Sequence, residues 1–189
     1  MKHWSNMIKR KQLKDNVYLD MAIGLSRLSR DENTQVGAVI VADDGSPVSW
    51  GYNGTIPGFN DNEIPHNRDV KELSFCENGI KQTFSENKYP FMEHAEANAI
   101  DFGDKDRMEN ATIYVTAMPC KDCARKIVKR KISRVVVVEN DVTMDKNSSI
   151  GNDVNITKYL FAKGNIDLCI GYTKIDLTSP QEFKFYSTR

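Results

Sequence analysis

Neither sign of charge is in excess in this chain: 26 lysines and arginines face 26 aspartates and glutamates across 189 residues. That balance argues against a general binder of polymeric nucleic acid, which needs a basic footprint. No apolar run approaches the roughly 18 residues that span a bilayer. No apolar segment follows Lys2, His3, Lys9, Arg10, Lys11 and Lys14 that would make a signal peptide, so a cytoplasmic location with no membrane partner is expected. Cysteine is scarce, with only Cys76, Cys120, Cys123 and Cys169, and in a reducing compartment a close pair reads as metal-binding or redox-active before disulfide-forming. Internal repeats and low-complexity segments are absent. What remains is an ordinary soluble composition, 40% hydrophobic and 28% charged, in a chain long enough to bury a core without staples.

Apolar spacing predicts a helix over residues 15–28, and the β-branched run at 36–41 a buried strand. Asp43-Asp44-Gly45-Ser46 carries an Asp-Gly hairpin signal, and residues 47–52 return as the partner strand before Asn53-Gly54. Residues 55–91 turn rich in proline, asparagine and acid, which reads as a long surface insertion with one short helix near 71–80. Insertions of this length are usually functional. Beyond it come a helix at 94–102, a strand at 111–116, a helix at 120–129, a strand at 133–139, a helix at 152–161 and a strand at 166–172. The tail from about 173 is polar and expected to be partly mobile. This alternation predicts an α/β chain, one domain over residues 1–189, whose sheet is parallel or mixed with helices on its faces.

The chemistry concentrates in His94-Ala95-Glu96 and, 23 residues after Glu96, Pro119-Cys120-Lys121-Asp122-Cys123. Two thiolates and one imidazole leave the fourth tetrahedral position of a zinc ion to water, as catalytic sites do and closed structural sites do not. His94, Cys120 and Cys123 are therefore the expected ligands, and Glu96 the general acid/base. All sit at predicted helix starts, where the dipole favours thiolate and hydroxide. Zinc lowers the pKa of its bound water to roughly 7, and a carboxylate beside it can shuttle protons to a ring nitrogen and a leaving amine. This H-x-E with P-C-x-x-C arrangement is that of zinc-dependent nucleobase deamination. A zinc-stapled scaffold with Glu96 on the surface would explain the ligands but not the open position. Cys169 reads as a small buried side chain, Cys76 as a loop residue that could join a second metal site with His66, and Trp4 and Trp50 as packing residues.

Four stretches resemble the deoxycytidylate (dCMP) deaminases of the cytidine deaminase superfamily. They are the segment from Ser29-Arg30-Asp31 to Val41, then Gly51-Tyr52-Asn53-Gly54, Lys88-Tyr89-Pro90 through His94-Ala95-Glu96 to Ile100, and Tyr114 through Pro119-Cys120 to Ala124. The resemblance runs from about Ala22 to Val138. It implies a three-layer α/β/α cytidine deaminase-like fold with a five-strand mixed sheet, and hydrolysis of dCMP to dUMP and ammonia on the way to dTMP. It implies Zn2+ as catalytic cofactor and admits Mg2+ with a regulatory dCTP. It also implies dCTP and dTTP as effectors and a homo-oligomer, commonly a hexamer. Substrate contacts carry over to Asn53, Arg30 and Ala95. Asn53, following a strand end, reads as a substrate contact before a turn residue between glycines, and Arg30, suited to phosphate, reads equally as a solvated helix-end charge. Lys129-Arg130-Lys131 reads as solvated helix surface.

Two departures from the family pattern stand out. Residues 139–149 lack the aromatic that many members carry near the phosphate, and Ala117-Met118 precedes Pro119 where relatives have other pairs. Alternatives are a deaminase of dCTP or of a 5-substituted dCMP, a nucleic-acid-editing deaminase, and a non-catalytic zinc- or nucleotide-binding protein.

Overall fold

Gly37–Val41 (β1) is buried at every position, and its side chains alternate between two cores. Ala38 and Ile40 join Ile113, Val115, Val135 and Val137 on one face of the sheet. Val39 and Val41 join Val136 and Val138 on the other, with Leu19 and Ala22 of the first helix against them. A strand that feeds two cores must lie inside a sheet covered on both sides, which is why this run is apolar throughout. The computed structural model describes residues 2–60, 62–139, 149–172 and 184–187.

The helices are α1 (Lys2–Ser26), α2 (Ala95–Phe102), α3 (Lys121–Lys129) and α4 (Ser149–Lys163). The strands after β1 are β2 (Pro47–Tyr52), β3 (Gly54–Thr55), β4 (Lys71–Glu77), β5 (Ile80–Glu86), β6 (Met92–Glu93), β7 (Thr112–Val115), β8 (Arg134–Glu139), β9 (Asp167–Tyr172) and β10 (Lys184–Ser187). The main sheet runs β10-β9-β8-β7-β1-β2. β7, β8 and β9 are parallel, while β1 is antiparallel to both its neighbours. The five expected strands thus form the mixed sheet, and β10 adds a sixth, antiparallel to β9. α1 covers one face; Ala95, Ala99, Ile100, Ala124, Ile127 and Phe161 bring the other three helices to the opposite face. This is the three-layer α/β/α arrangement. Most of the tail expected to be mobile, residues 173–183, lies outside the described residues.

Three expectations need correction. The first helix begins at Lys2 and not near residue 15. The insertion holds a hairpin, β4 paired with β5, where a short helix was expected. Asn78 and Gly79 sit at φ 53 and φ 78 between the strands, the left-handed pair that a two-residue hairpin turn demands. Trp50 does not pack inside: it is 53% exposed and stacks on Tyr52 at 6.4 Å. Cys169 is buried, as expected. Of the basic cluster, Lys129 and Lys131 are exposed, and Lys131 pairs with Glu109.

Candidate metal centre and active site

Two helix starts meet at one end of the sheet. Leaving β7, the chain is tied to β1 by Thr116, whose N–H donates to Gly37 O at 3.0 Å while its hydroxyl accepts from Gly37 N–H. Pro119 then delivers Cys120, the N-cap of α3, whose sulfur accepts from the Cys123 N–H at 3.5 Å. Thr157 of α4 holds this turn by donating to Pro119 O at 3.0 Å. On the other side, β6 leads into His94, the N-cap of α2, which makes no side-chain capping bond. Its ring is left to turn toward the thiols.

His94 Nδ1 lies 3.5 Å from Cys120 Sγ and 3.5 Å from Cys123 Sγ. A tetrahedral zinc with Zn–N of roughly 2.0 Å and Zn–S of about 2.3 Å needs about that separation between its donors. The three donor atoms lie within 4.8 Å of one another, and no fourth side chain joins them among the described residues. The residues therefore fit the metal. Charge supports the same reading. A hydrogen bond from the Cys123 thiol, with help from His94, holds the Cys120 thiol down at about 3, so it is a thiolate at neutral pH, the form that binds metal. The bond to Cys120 lifts His94 to about 9, and Cys123's own hydrogen bond to Cys120, together with burial, pushes the Cys123 thiol up. A cation between the three would deprotonate a coordinating thiol outright.

Glu96 is buried, in the first turn of α2, and burial raises its carboxyl above the ordinary range. Its side chain reaches the Cys123 thiol. A carboxyl poised this way beside three metal donors suits proton transfer.

The other expected residues are placed as follows. Asn53 is buried; continuing the β3–β6 register by one residue sets it opposite His94. Its amide is fully engaged on one side: Nδ2 donates to Thr34 O at 2.8 Å and to Asp31 Oδ2 at 3.3 Å, and Oδ1 accepts from Val36 N–H at 2.7 Å. Ala95 is buried as the first residue of α2. Arg30 is exposed, on a groove of about 720 Å3 beside the edge strand β2, with Trp50, Tyr52, His66, Asn98 and Phe102. That groove is not lined by His94, Glu96, Cys120 or Cys123, so the apolar recess and the chemistry are separate features. Cys76 and His66 join no metal-binding group among the described residues, and Cys76 is exposed on β4. The segment expected to lack a phosphate-side aromatic falls largely on residues 140–148, outside those described.

The model of the cytidine and deoxycytidylate deaminase zinc-binding region matches residues 12–139, about two thirds of the chain. The chain belongs to the cytidine and deoxycytidylate deaminase family. A deoxycytidylate deaminase from Pongo abelii is 31% identical over 123 residues, covering 65% of this chain and 63% of its own. That of Mycobacterium phage D29 is 34% identical over 122 residues, covering 65% of this chain and 91% of its own. The dCMP deaminase of cyanophage S-TIM5, solved with dCMP and dUMP, superposes with a TM-score of 0.55 at 22% identity, over 82% of this chain and 93% of that one. That likeness fixes the fold as cytidine deaminase-like. The matched region spans less than two thirds of the Pongo abelii relative's length. No described helix is long and apolar enough to cross a membrane.

Two residues that pattern reading does not single out, Asp31 and Lys88, are buried against each other behind Asn53. No periodicity or spacing links an aspartate to a lysine 57 positions away.

Proposed function

We propose that this chain is one domain of zinc-dependent deaminase that hydrolyses dCMP to dUMP and ammonia, supplying the precursor of dTMP. The observation that carries the reading is the buried Glu96 beside three converged donors, His94, Cys120 and Cys123, with no fourth side chain among the described residues. Relatives named deoxycytidylate deaminase support the choice of substrate class. His94, Cys120 and Cys123 would hold a zinc ion, which would supply a water of lowered pKa. Glu96 would take a proton from a water and give it to the ring nitrogen beside the amine-bearing carbon, then take the second proton from the oxygen added to that carbon and give it to the leaving amine. The carbon–nitrogen bond breaks, a carbon–oxygen bond replaces it, and ammonia departs. Burial raises the Glu96 carboxyl toward the range in which it can both accept and return the proton.

Ammonia release by the zinc-loaded protein from dCMP, CMP, dCTP, cytidine and 5-substituted dCMP tests the reading. Turnover of dCMP well above the others is expected. Preference for dCTP or a 5-substituted nucleotide moves the substrate and keeps the chemistry; release from none of them removes the deaminase reading. The reading extends to a homo-oligomer with dCTP and dTTP as effectors, the former with Mg2+. Light scattering and assays with each triphosphate check those.

A further inference from the structure

Thr157 of α4 is 0% exposed. A valine there would have the same shape and no polar group to desolvate, so a buried threonine needs a partner for its hydroxyl. Inside a helix that hydroxyl commonly turns back to the carbonyl four residues earlier. It has one hydrogen to give, and Thr157 gives it to Pro119 O at 3.0 Å, 38 positions away in the sequence. Asp153, four residues earlier on the same face of α4, pairs with Lys121 Nζ at 3.0 Å. α4 supplies none of the three metal donors, yet both of these bonds fall on the turn that delivers Cys120.

Cys120 depends on that turn more than Cys123 does. Cys123 lies within α3, where the helix sets its backbone, whereas Cys120 is the N-cap, extended at ψ 169. The residue before it is a proline, whose ring fixes φ at about −65°. The remaining soft rotation is ψ of Pro119, which turns the Pro119 carbonyl and the Cys120 N–H together as one rigid plane. Thr157 grips that carbonyl and so arrests the rotation that would swing Cys120 Sγ away from His94 Nδ1, 3.5 Å distant. Upstream, the chain is already tied to β1 by Thr116, so Pro119 is the next fixed point before the donor. We propose that Thr157 is a positioning residue of the metal centre: through the Pro119 carbonyl it locks the peptide that carries Cys120. The three-donor geometry then depends on a helix that contributes no donor. Asp153 and Lys121, at 34% and 43% side-chain exposure, add little to it. This rests on the reading of His94, Cys120 and Cys123 as zinc donors.

The test measures zinc affinity by competition with a chromophoric chelator, and the absorption of the Co2+-substituted protein, which reports the arrangement of thiolate and imidazole donors. Thr157→Val keeps the side chain's shape and removes the hydrogen. It is expected to bind zinc about 10- to 100-fold more weakly, the usual effect of losing a group that orients a metal ligand, and to shift the cobalt bands. Thr157→Ser restores the hydroxyl and is expected to return zinc affinity to within about threefold of the unsubstituted protein. Asp153→Asn should stay within about threefold as well. Phe161→Leu loosens α4 against the core without touching Pro119 and is the control for general destabilisation. If Thr157→Val loses no more zinc affinity than Phe161→Leu and leaves the cobalt bands unmoved, Thr157 only stabilises the fold and the proposal falls. It falls too if Thr157→Val matches the unsubstituted protein. Thr157→Ala, set against the same control, decides the matter if the valine variant does not fold. An unsubstituted protein that takes up neither metal overturns the zinc reading and the role of Thr157 with it. Metal uptake without dCMP turnover counts against the deaminase reading alone, and the affinities still decide the positioning role.

Discussion

A methyl group on Gly51 of β2 would stand 2.4 Å from the carbonyl oxygen of Ala95 and 2.5 Å from the N–H nitrogen of Ala99. Both contacts are with helix backbone, which cannot turn aside as a side chain can. The glycine is thus what lets α2 lie directly on the sheet, with Glu96 in its first turn. Gly51→Ala is expected to destabilise by about 1–3 kcal/mol, the usual cost of overpacking, and to lower zinc content by shifting the turn that carries His94 and Glu96. Gly24, inside α1 with nothing within 4 Å of a built Cβ, is the control. Gly24→Ala should stabilise by roughly 0.5–1 kcal/mol. Urea unfolding of the two variants checks both signs.

Glu96→Gln preserves size and the helix but removes the carboxyl that the proposed reaction uses to carry protons. Turnover is expected to drop by about 10²–10⁴-fold while zinc content stays at the unsubstituted level. Retained turnover would strip Glu96 of its assigned role. A variant that loses zinc along with activity would make it a structural neighbour of the ligands.

Metal removal separates the two classes of cysteine. Cys120 and Cys123 lie in the donor cluster, whereas Cys76 is exposed on β4. Cys123→Ser is expected to bind well under the roughly one zinc per chain that a single three-donor site predicts, and to lose turnover. Cys76→Ser should match the unsubstituted protein in both. Dialysis against a chelator should lower Tm and abolish ammonia release, with both returning on addition of zinc, because metal binding adds to folding free energy.

Why some of this could be read from residues alone, and some not, follows from the range of each signal. The candidate site residues are short-range signals: His94 and Glu96 are two apart, Cys120 and Cys123 three apart, and each set opens a helix. The strands announce themselves through β-branched runs such as Val135 to Val138, buried without exception. The first half of α1 escapes because its lysines, arginine and glutamine leave no clear apolar stripe. The hairpin β4–β5 was within reach, since Asn78-Gly79 is a turn signal flanked by alternating Leu73, Phe75, Ile80 and Phe84; an overall polar composition masks it. The Asp31–Lys88–Asn53 network is different in kind. Its members come from three loops, and only the fold makes them neighbours.

That network also sets an expectation for acid stability. Burial works to raise the Asp31 carboxyl, but the Lys88 hydrogen bond and the backbone N–H groups of Thr34 and Asn33 outweigh it, and the net effect is a lowered pKa. A carboxyl lowered on folding contributes stability that is fully present above its unfolded pKa, about 3.9. The contribution is lost as pH falls through the lower folded value. The unsubstituted protein should therefore lose stability below about pH 4 more steeply than the double variant Asp31→Asn/Lys88→Met, in which this carboxyl is gone. Comparing the two proteins cancels losses they share, including protonation of the metal donors. Lys88→Met alone leaves Asp31 buried without its partner and should cost about 3–5 kcal/mol at neutral pH. The double variant is expected to recover much of that. Urea midpoints at neutral pH and at steps down to about pH 3 provide the measurement. Parallel pH curves for the two proteins would mean that the Asp31 carboxyl titrates alike in the folded and unfolded chain.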